Sequence, residues 1–182
     1  MRALPHIQKK HPDSYILIIG GDSYSYGAAP KSEDNNSSIA SYKKKYLDEV
    51  KKDLSNIENI IYTGAVSYNV FLSLLDLSSV HVYLTYPFVL SWSMLEAMAL
   101  EKVVVGSNTE PVKEVIVNNK NGLMVDFFDV KDIANKVNDV LSNPSKFNKI
   151  RKAARKTIVE GYDLETISLP LQLKLIEEVL NE

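Results

Sequence analysis

The sequence predicts an α/β fold, a doubly wound parallel sheet with helices on both faces. Three observations carry that prediction. Short apolar runs alternate with helix-length segments along the whole chain. The runs are YILIIG (15–20), IIYT (60–63), VHVYL (80–84), VVVG (103–106) and GLMV (122–125), apolar almost throughout, as strands buried on both faces are. No two of them are joined by a tight hairpin turn, so neighbouring strands must be linked by crossovers.

Each element follows from local chemistry. Met1 to about Lys10 forms a helix that stops at His11-Pro12. The first strand, 15–20, is closed by Gly20-Gly21. The next twenty residues, GDSYSYGAAPKSEDNNSSIA, have loop composition, and SEDNNSS is the part most like a disordered segment. A helix over 40–54 carries its charges outward, and the strand IIYT ends at Gly64. Ser67 is placed to cap a helix running to Leu77, which leads to the strand 80–84. A helix begins near Ser91–Ser93, followed by the strand 103–106 and a short helix around Pro111–Ile116. Asn121-Gly122 turns the chain into the last strand. Helices over 130–142, 145–159 and 164–181 complete it, punctuated by Asn143-Pro144 and Gly161, and the last is expected to pack back across the domain. No composition shift divides the chain, so residues 1–182 are taken as one domain.

Composition removes several function classes. A net charge of −2 and a pI of about 6.0 give no long-range pull toward nucleic acid. The chain has no cysteine, which excludes disulfides and thiolate chemistry. Its three histidines, His6, His11 and His81, are not at metal-ligand spacing. The N-terminal MRALPHIQKKHPD lacks the apolar core of a signal peptide, and no apolar run is long enough to span a membrane. A cytoplasmic location is expected.

The segment YPFVLSWSMLEAMALEK (86–102) raises the functional question, because the carboxylate of Glu96 sits inside an otherwise apolar stretch. Two answers stand side by side. Ser93-Met94-Leu95-Glu96 has the S-x-x-E spacing of a capping box, in which Glu96 would bond back to the amide of residue 93. Alternatively, this helix starts at the carboxyl end of the strand 80–84, where doubly wound sheets bind ligands. Its free amides would suit a phosphate, and Glu96, one turn in, would accept from a vicinal diol such as a ribose.

The stretch LTYPFVLSWSMLEAMALEKVVVGSNTEPVKEVIVNNKNGLMVDFFD (84–129) closely resembles the nucleotide-binding core of the family 4 retaining glycosyltransferases, enzymes of the GT-B type with two facing Rossmann-like domains. The resemblance extends from MRALP through YILIIGGDSYSYGAAP and IYTGAVSY to RKAARKTIVEGYDL, and PFVLSWSMLEAMA is its most specific part. It implies a C-terminal donor-binding domain that lacks its first strand, from an enzyme transferring a hexose to a glycan or lipid-linked acceptor. The donor is a nucleotide sugar, and neither a metal nor another cofactor is implied. Of two glutamates that flank the loop and helix start in that family, the ribose ligand maps onto Glu96. The other, on the sugar side, maps onto Phe88, and the intervening glycine positions hold Val89 and Ser91. The resemblance further implies that amides of Leu90, Ser91, Trp92 and Ser93 line the pyrophosphate. Thr63, Gly64 and Val66 would lie along the base, with Asn108 and Thr109 on the floor.

The same resemblance places an acceptor domain of about 170–200 residues outside this sequence. Alone, the chain is expected to transfer no sugar and to self-associate through an exposed sheet edge. The competing classes are a non-catalytic nucleotide-binding or interaction module and a GT-B-fold nucleotide-sugar epimerase. KFNKIRKAARK (146–156) is first a solvated basic helix face; contact with an anionic membrane is its alternative. SYSYG (23–27) is either a flexible polar loop or a border of the donor cleft. Asp126 and Asp129 fit a strand end and a helix N-cap better than a metal pair.

Overall fold

The computed structural model describes residues 1–22 and 41–181. Strands and helices alternate: α1 (Leu4–Gln8), β1 (Ile16–Ile19), α2 (Tyr42–Val50), β2 (Ile60–Gly64), α3 (Tyr68–Leu77), β3 (Val80–Tyr83), α4 (Trp92–Ala99), β4 (Val103–Ser107), α5 (Glu110–Lys113), β5 (Leu123–Val125), α6 (Val130–Ser142), α7 (Asn148–Gly161) and α8 (Leu169–Leu180). Every strand pairing is parallel. The predicted fold class is the observed one.

The pleat sorts side chains onto two helix-covered faces, which is why the strands read as unbroken apolar runs. Ile60, Val103, Val105, Leu123 and Val125 meet α1 and α6 on one face, through Leu4, Ile7, Ile133 and Val137. Tyr83 and Val104 meet α3, α4, α5 and α7 on the other, through Leu75, Met94, Met98, Val112 and Ala154. Val103, Val104 and Val105 are fully buried, each contributing about 1.5–3 kcal/mol of transfer free energy. Two buried side-chain amides, Gln8 and Asn121, are bonded at both ends, whereas Asn138 donates to the His6 carbonyl at 3.3 Å and its buried Oδ1 has no partner among the described residues. Gln8 donates to the Asn56 carbonyl at 2.6 Å and accepts from the Asn56 amide at 3.2 Å, tying α1 to the chain entering β2. Asn121 accepts from the Val117 amide at 2.7 Å and donates to the Val115 carbonyl and the Thr157 hydroxyl, both at 2.9 Å. The turn it holds needs Gly122, because a Cβ there would lie 2.9 Å from Ile116 Cγ2.

The sheet falls into two hydrogen-bonded blocks, β1–β2 and β3–β4–β5, with no strand between them among the described residues. Apolar side chains around this break stay partly open: Leu17, Ile61, Val82 and Leu84 are each between 37% and 42% exposed. On β3, His81 is largely buried and its Nε2 has no partner, so burial pushes its pKa down to about 4.

Several local expectations need correction. The helix expected over 111–116 stops at Lys113, and that expected over 145–159 opens with a 3-10 turn, Pro144–Phe147. Ser67 precedes α3 at the N-cap position, but its side chain accepts no capping bond. The segment 164–181 starts with a single π-helical turn, Leu164–Ser168, before α8. Most importantly, α8 does not pack back across the domain: none of its residues is buried. Leu169, Leu173, Ile176 and Leu180 recur at helical spacing on one stripe, yet all are exposed. That periodicity correctly gives a helix with an apolar face, but the described residues offer no surface to cover it.

Candidate functional site

The helices α3, α4, α5 and α6 all begin at the carboxyl ends of strands, so their N-termini gather on one edge of the sheet. Two contacts fix that edge. The fully buried Ser107 at the end of β4 accepts from the Thr85 amide at 2.9 Å and donates to the Thr85 carbonyl at 2.8 Å. Tyr83, the last residue of β3, accepts from the Ser91 amide at 2.8 Å and so pins the start of α4. Sequence reasoning missed both. Their signal is faint: a polar group at an inward-facing position at a strand end.

At α4 the N-cap is Ser91, not Ser93. Ser91 Oγ accepts from the Ser93 amide at 3.4 Å, and the Met94 amide bonds the Ser91 carbonyl at 3.2 Å. Glu96 is therefore the fifth helical residue, beyond the third position that a capping box requires. The S-x-x-E spacing is present and the capping box is not. Glu96 Oε1 instead accepts from the Tyr68 hydroxyl at 2.7 Å, and no other partner of Glu96 is found among the described residues. The helix is anchored beneath it by Met94, Ala97 and Met98, all fully buried. The carboxylate is thus held on a rigid element without a local backbone role.

The amides expected on the pyrophosphate side are only partly available. Those of Ser91 and Ser93 are occupied, the latter by a long bond, whereas the Leu90 and Trp92 amides have no partner among the described residues. Gly64 has a φ of 67°, a left-handed conformation that a side chain would strain, and its carbonyl accepts from the Gly20 amide at 2.9 Å. Through this turn β2 hands over to Ala65, the half-buried Val66 and α3. The Asn108 amide extends the ladder to Val125 at 2.8 Å, leaving its side chain exposed. Thr109 stands at the N-cap of α5 without capping it, its hydroxyl buried and unpartnered.

Aromatic groups wall this edge. Tyr86 meets Phe127 and Phe128 edge-on at 5.3 and 6.1 Å, and the two phenylalanines meet at 5.0 Å. Phe88, Val89 and Trp92 are exposed nearby in the chain, with Phe88 standing where the resemblance expects a glutamate. SYSYG (23–27) lies outside the described residues. Asp129 caps α6, accepting from the Asp132 amide at 2.9 Å, while Asp126 accepts from the Phe128 amide. In the basic run, Lys146 pairs with Asp139, Lys156 with Glu160, and Arg155 donates to the Ala99 carbonyl. These contacts favour a packed and solvated helix face. No helix among the described residues is long and apolar enough to cross a membrane.

The profile of the family described as "Glycosyl transferases group 1" matches residues 1–157. The chain belongs to the group 1 glycosyl transferases. No curated protein sequence matches it. Among solved structures, the C-terminal domain of a group 1 glycosyl transferase, LpcC from Francisella tularensis, is similar with a TM-score of 0.73 at 24% identity, covering 90% of this chain and 77% of that one. HepE from Anabaena, solved with UDP and glucose, gives 0.74 at 15% identity over 97% of this chain and 44% of its own. Sucrose-phosphate synthase from Thermosynechococcus elongatus gives 0.74 at 17% identity over 100% and 42%. This group 1 chain therefore spans less than half the length of the last two proteins. At these identities the structures establish the fold, which is the C-terminal Rossmann-like domain of GT-B glycosyltransferases.

Proposed function

We propose that this domain holds the nucleotide-sugar donor of a retaining, family 4 hexosyltransferase, and that Glu96 receives the ribose hydroxyls. One observation carries the proposal: a carboxylate on a rigid helix at the ligand-binding edge, with no capping role and, among the described residues, only a tyrosine hydroxyl on it. A carboxylate is an acceptor with room for several bonds, so a vicinal diol can donate to it while Tyr68 stays in place. The diphosphate would run toward the N-terminus of α4, where the Leu90 and Trp92 amides remain to be used. In a metal-independent transfer those amides would supply part of the stabilisation of the departing diphosphate. The base would lie along Thr63, Gly64 and Val66. Because HepE was solved with UDP and, separately, with UDP-glucose, uridine nucleotides are the first donors to try.

The acceptor in this reading is a glycan or a lipid-linked acceptor, and the 182-residue chain by itself should be inactive. Phe88 favours a second reading, a nucleotide-binding module that has lost transfer, because it removes a sugar-side carboxylate. The test is calorimetric titration of the full-length protein with a panel of nucleotide sugars, with Glu96→Gln alongside. A donor-binding Glu96 predicts that the wild type binds at least one donor and that Glu96→Gln weakens it by about tenfold or more. Equal binding by both proteins would remove Glu96 from the site. Binding without turnover in the presence of acceptor extracts would select the second reading.

A further inference from the structure

Resting on that donor-site reading, we propose that Tyr68 is a positioning residue that sets Glu96 for the nucleotide diol and couples it to the base-side loop. The argument begins with where Tyr68 stands. It is the first residue of α3, directly after the turn built by Gly64, Ala65, Val66 and Ser67. Its ring stacks against Phe71 one turn on, with centroids 6.3 Å apart and planes inclined by 27°. From there its hydroxyl crosses to α4 and donates to Glu96 Oε1 at 2.7 Å. One bond thus spans the two crossings that flank β3, where the proposed base and ribose contacts lie.

That bond is suited to orienting the carboxylate and not to blocking it. An ionised carboxylate has about four acceptor positions, of which Tyr68 uses one, so two remain for a diol with one to spare. Glutamate is otherwise a side chain with several rotatable bonds and a substantial ordering cost on binding. A fixed donor on one oxygen meets part of that cost before the nucleotide arrives. The phenol itself registers the contact: the hydrogen bond to Glu96 raises its pKa above the ordinary value, because ionising it would destroy the bond and set two negative charges together.

The test uses Tyr68→Phe in the full-length protein, a change that keeps the ring on Phe71 and removes only the donor. Binding of UDP, ADP, GDP and CDP is measured first, and the tightest is compared with its 2′,3′-dideoxy analogue. Tyr68→Phe should weaken the ribonucleotide by about fivefold and leave the dideoxy analogue within about twofold, with the ribonucleotide effect absent in a Glu96→Gln background. Equal loss for both nucleotides would show that Tyr68 acts through general structure, and unchanged ribonucleotide binding would show that it does not act; either overturns the proposal alone. If the wild type binds none of the four, the donor reading falls and this proposal falls with it. A ligand-free arm keeps the two apart: by NMR of ring-labelled tyrosine, Tyr68 should titrate above the ordinary tyrosine range in wild type and return toward it in Glu96→Gln. Identical titration in both proteins would show that the contact is absent in solution and would overturn the positioning role whatever binds.

Discussion

At the residue scale, the structure separates the two roles open to Glu96, a cap suggested by spacing and a ribose ligand implied by the resemblance. Glu96 sits too far into α4 to cap it, so Glu96→Gln should leave the melting temperature nearly unchanged even where it costs donor affinity. A drop of several degrees would show that the carboxylate has a structural task after all. His81 supplies the residue-scale pH dependence. Its folded-state pKa of about 4 lies below the ordinary value of 6.5, so between those values the unfolded chain binds a proton that the folded chain refuses. Stability is therefore complete above about pH 6.5 and declines as pH falls toward about 4, by at most about 3 kcal/mol from this group. His81→Phe cannot take up the proton, so urea denaturation between pH 7 and pH 4 should show a shallower loss than wild type. Equal pH slopes would mean that His81 stays hydrated. Carboxylates such as Asp139, held below its usual range by Lys146, add their own loss at lower pH in both proteins.

At the element scale, the start of α4 is decided by which serine has the extended backbone. Ser91 has φ −84° and ψ 141°, the non-helical conformation of an N-cap, whereas Ser93 is already helical. Ser91→Ala should cost about 0.5–1 kcal/mol, the lower part of the capping range, since its bond to the Ser93 amide is long. Ser93→Ala should be near neutral in the same denaturation assay, and the reverse order would return the cap to Ser93. The last helix poses the opposite problem, a face with no partner among the described residues. Replacing Leu173 and Ile176 by lysine should leave the melting temperature unchanged, because neither side chain is packed. A marked destabilisation would show that α8 does lie on the domain in solution.

At the scale of the whole molecule, the two strand blocks and α8 leave backbone edges and apolar surface open together among the described residues. Open parallel edges and an uncovered helix face are the usual preludes to association. Light scattering on the 182-residue chain should therefore show species above the monomer at high concentration, and the Leu173→Lys, Ile176→Lys variant should shift them downward. A tight monomer would mean that these surfaces close on themselves.

Much of the architecture was legible because it depends on period and punctuation. Five apolar runs gave the five strands, and residues such as Gly64, Asn121-Gly122 and Asn143-Pro144 marked breaks whose chemistry is local. The family was legible for a related reason: PFVLSWSMLEAMA must form a loop, a helix start and a buried helix face in fixed order, which few other sequences satisfy. Three things were not legible. The partner of Glu96 is Tyr68, 28 residues away, and nothing in the spacing of either announces the other. The Ser91 amide is held by Tyr83, a residue on the preceding strand eight positions away, and no local pattern marks that bond. The apolar stripe of α8 fixes that a face exists, but periodicity carries no information about what lies opposite. Sequence alone determined the elements and their order because backbone propensity and burial pattern act over neighbouring residues. Tertiary structure alone decided which polar groups at the sheet edge are already spent and which remain for a ligand, because those bonds join residues that only the crossover topology brings together.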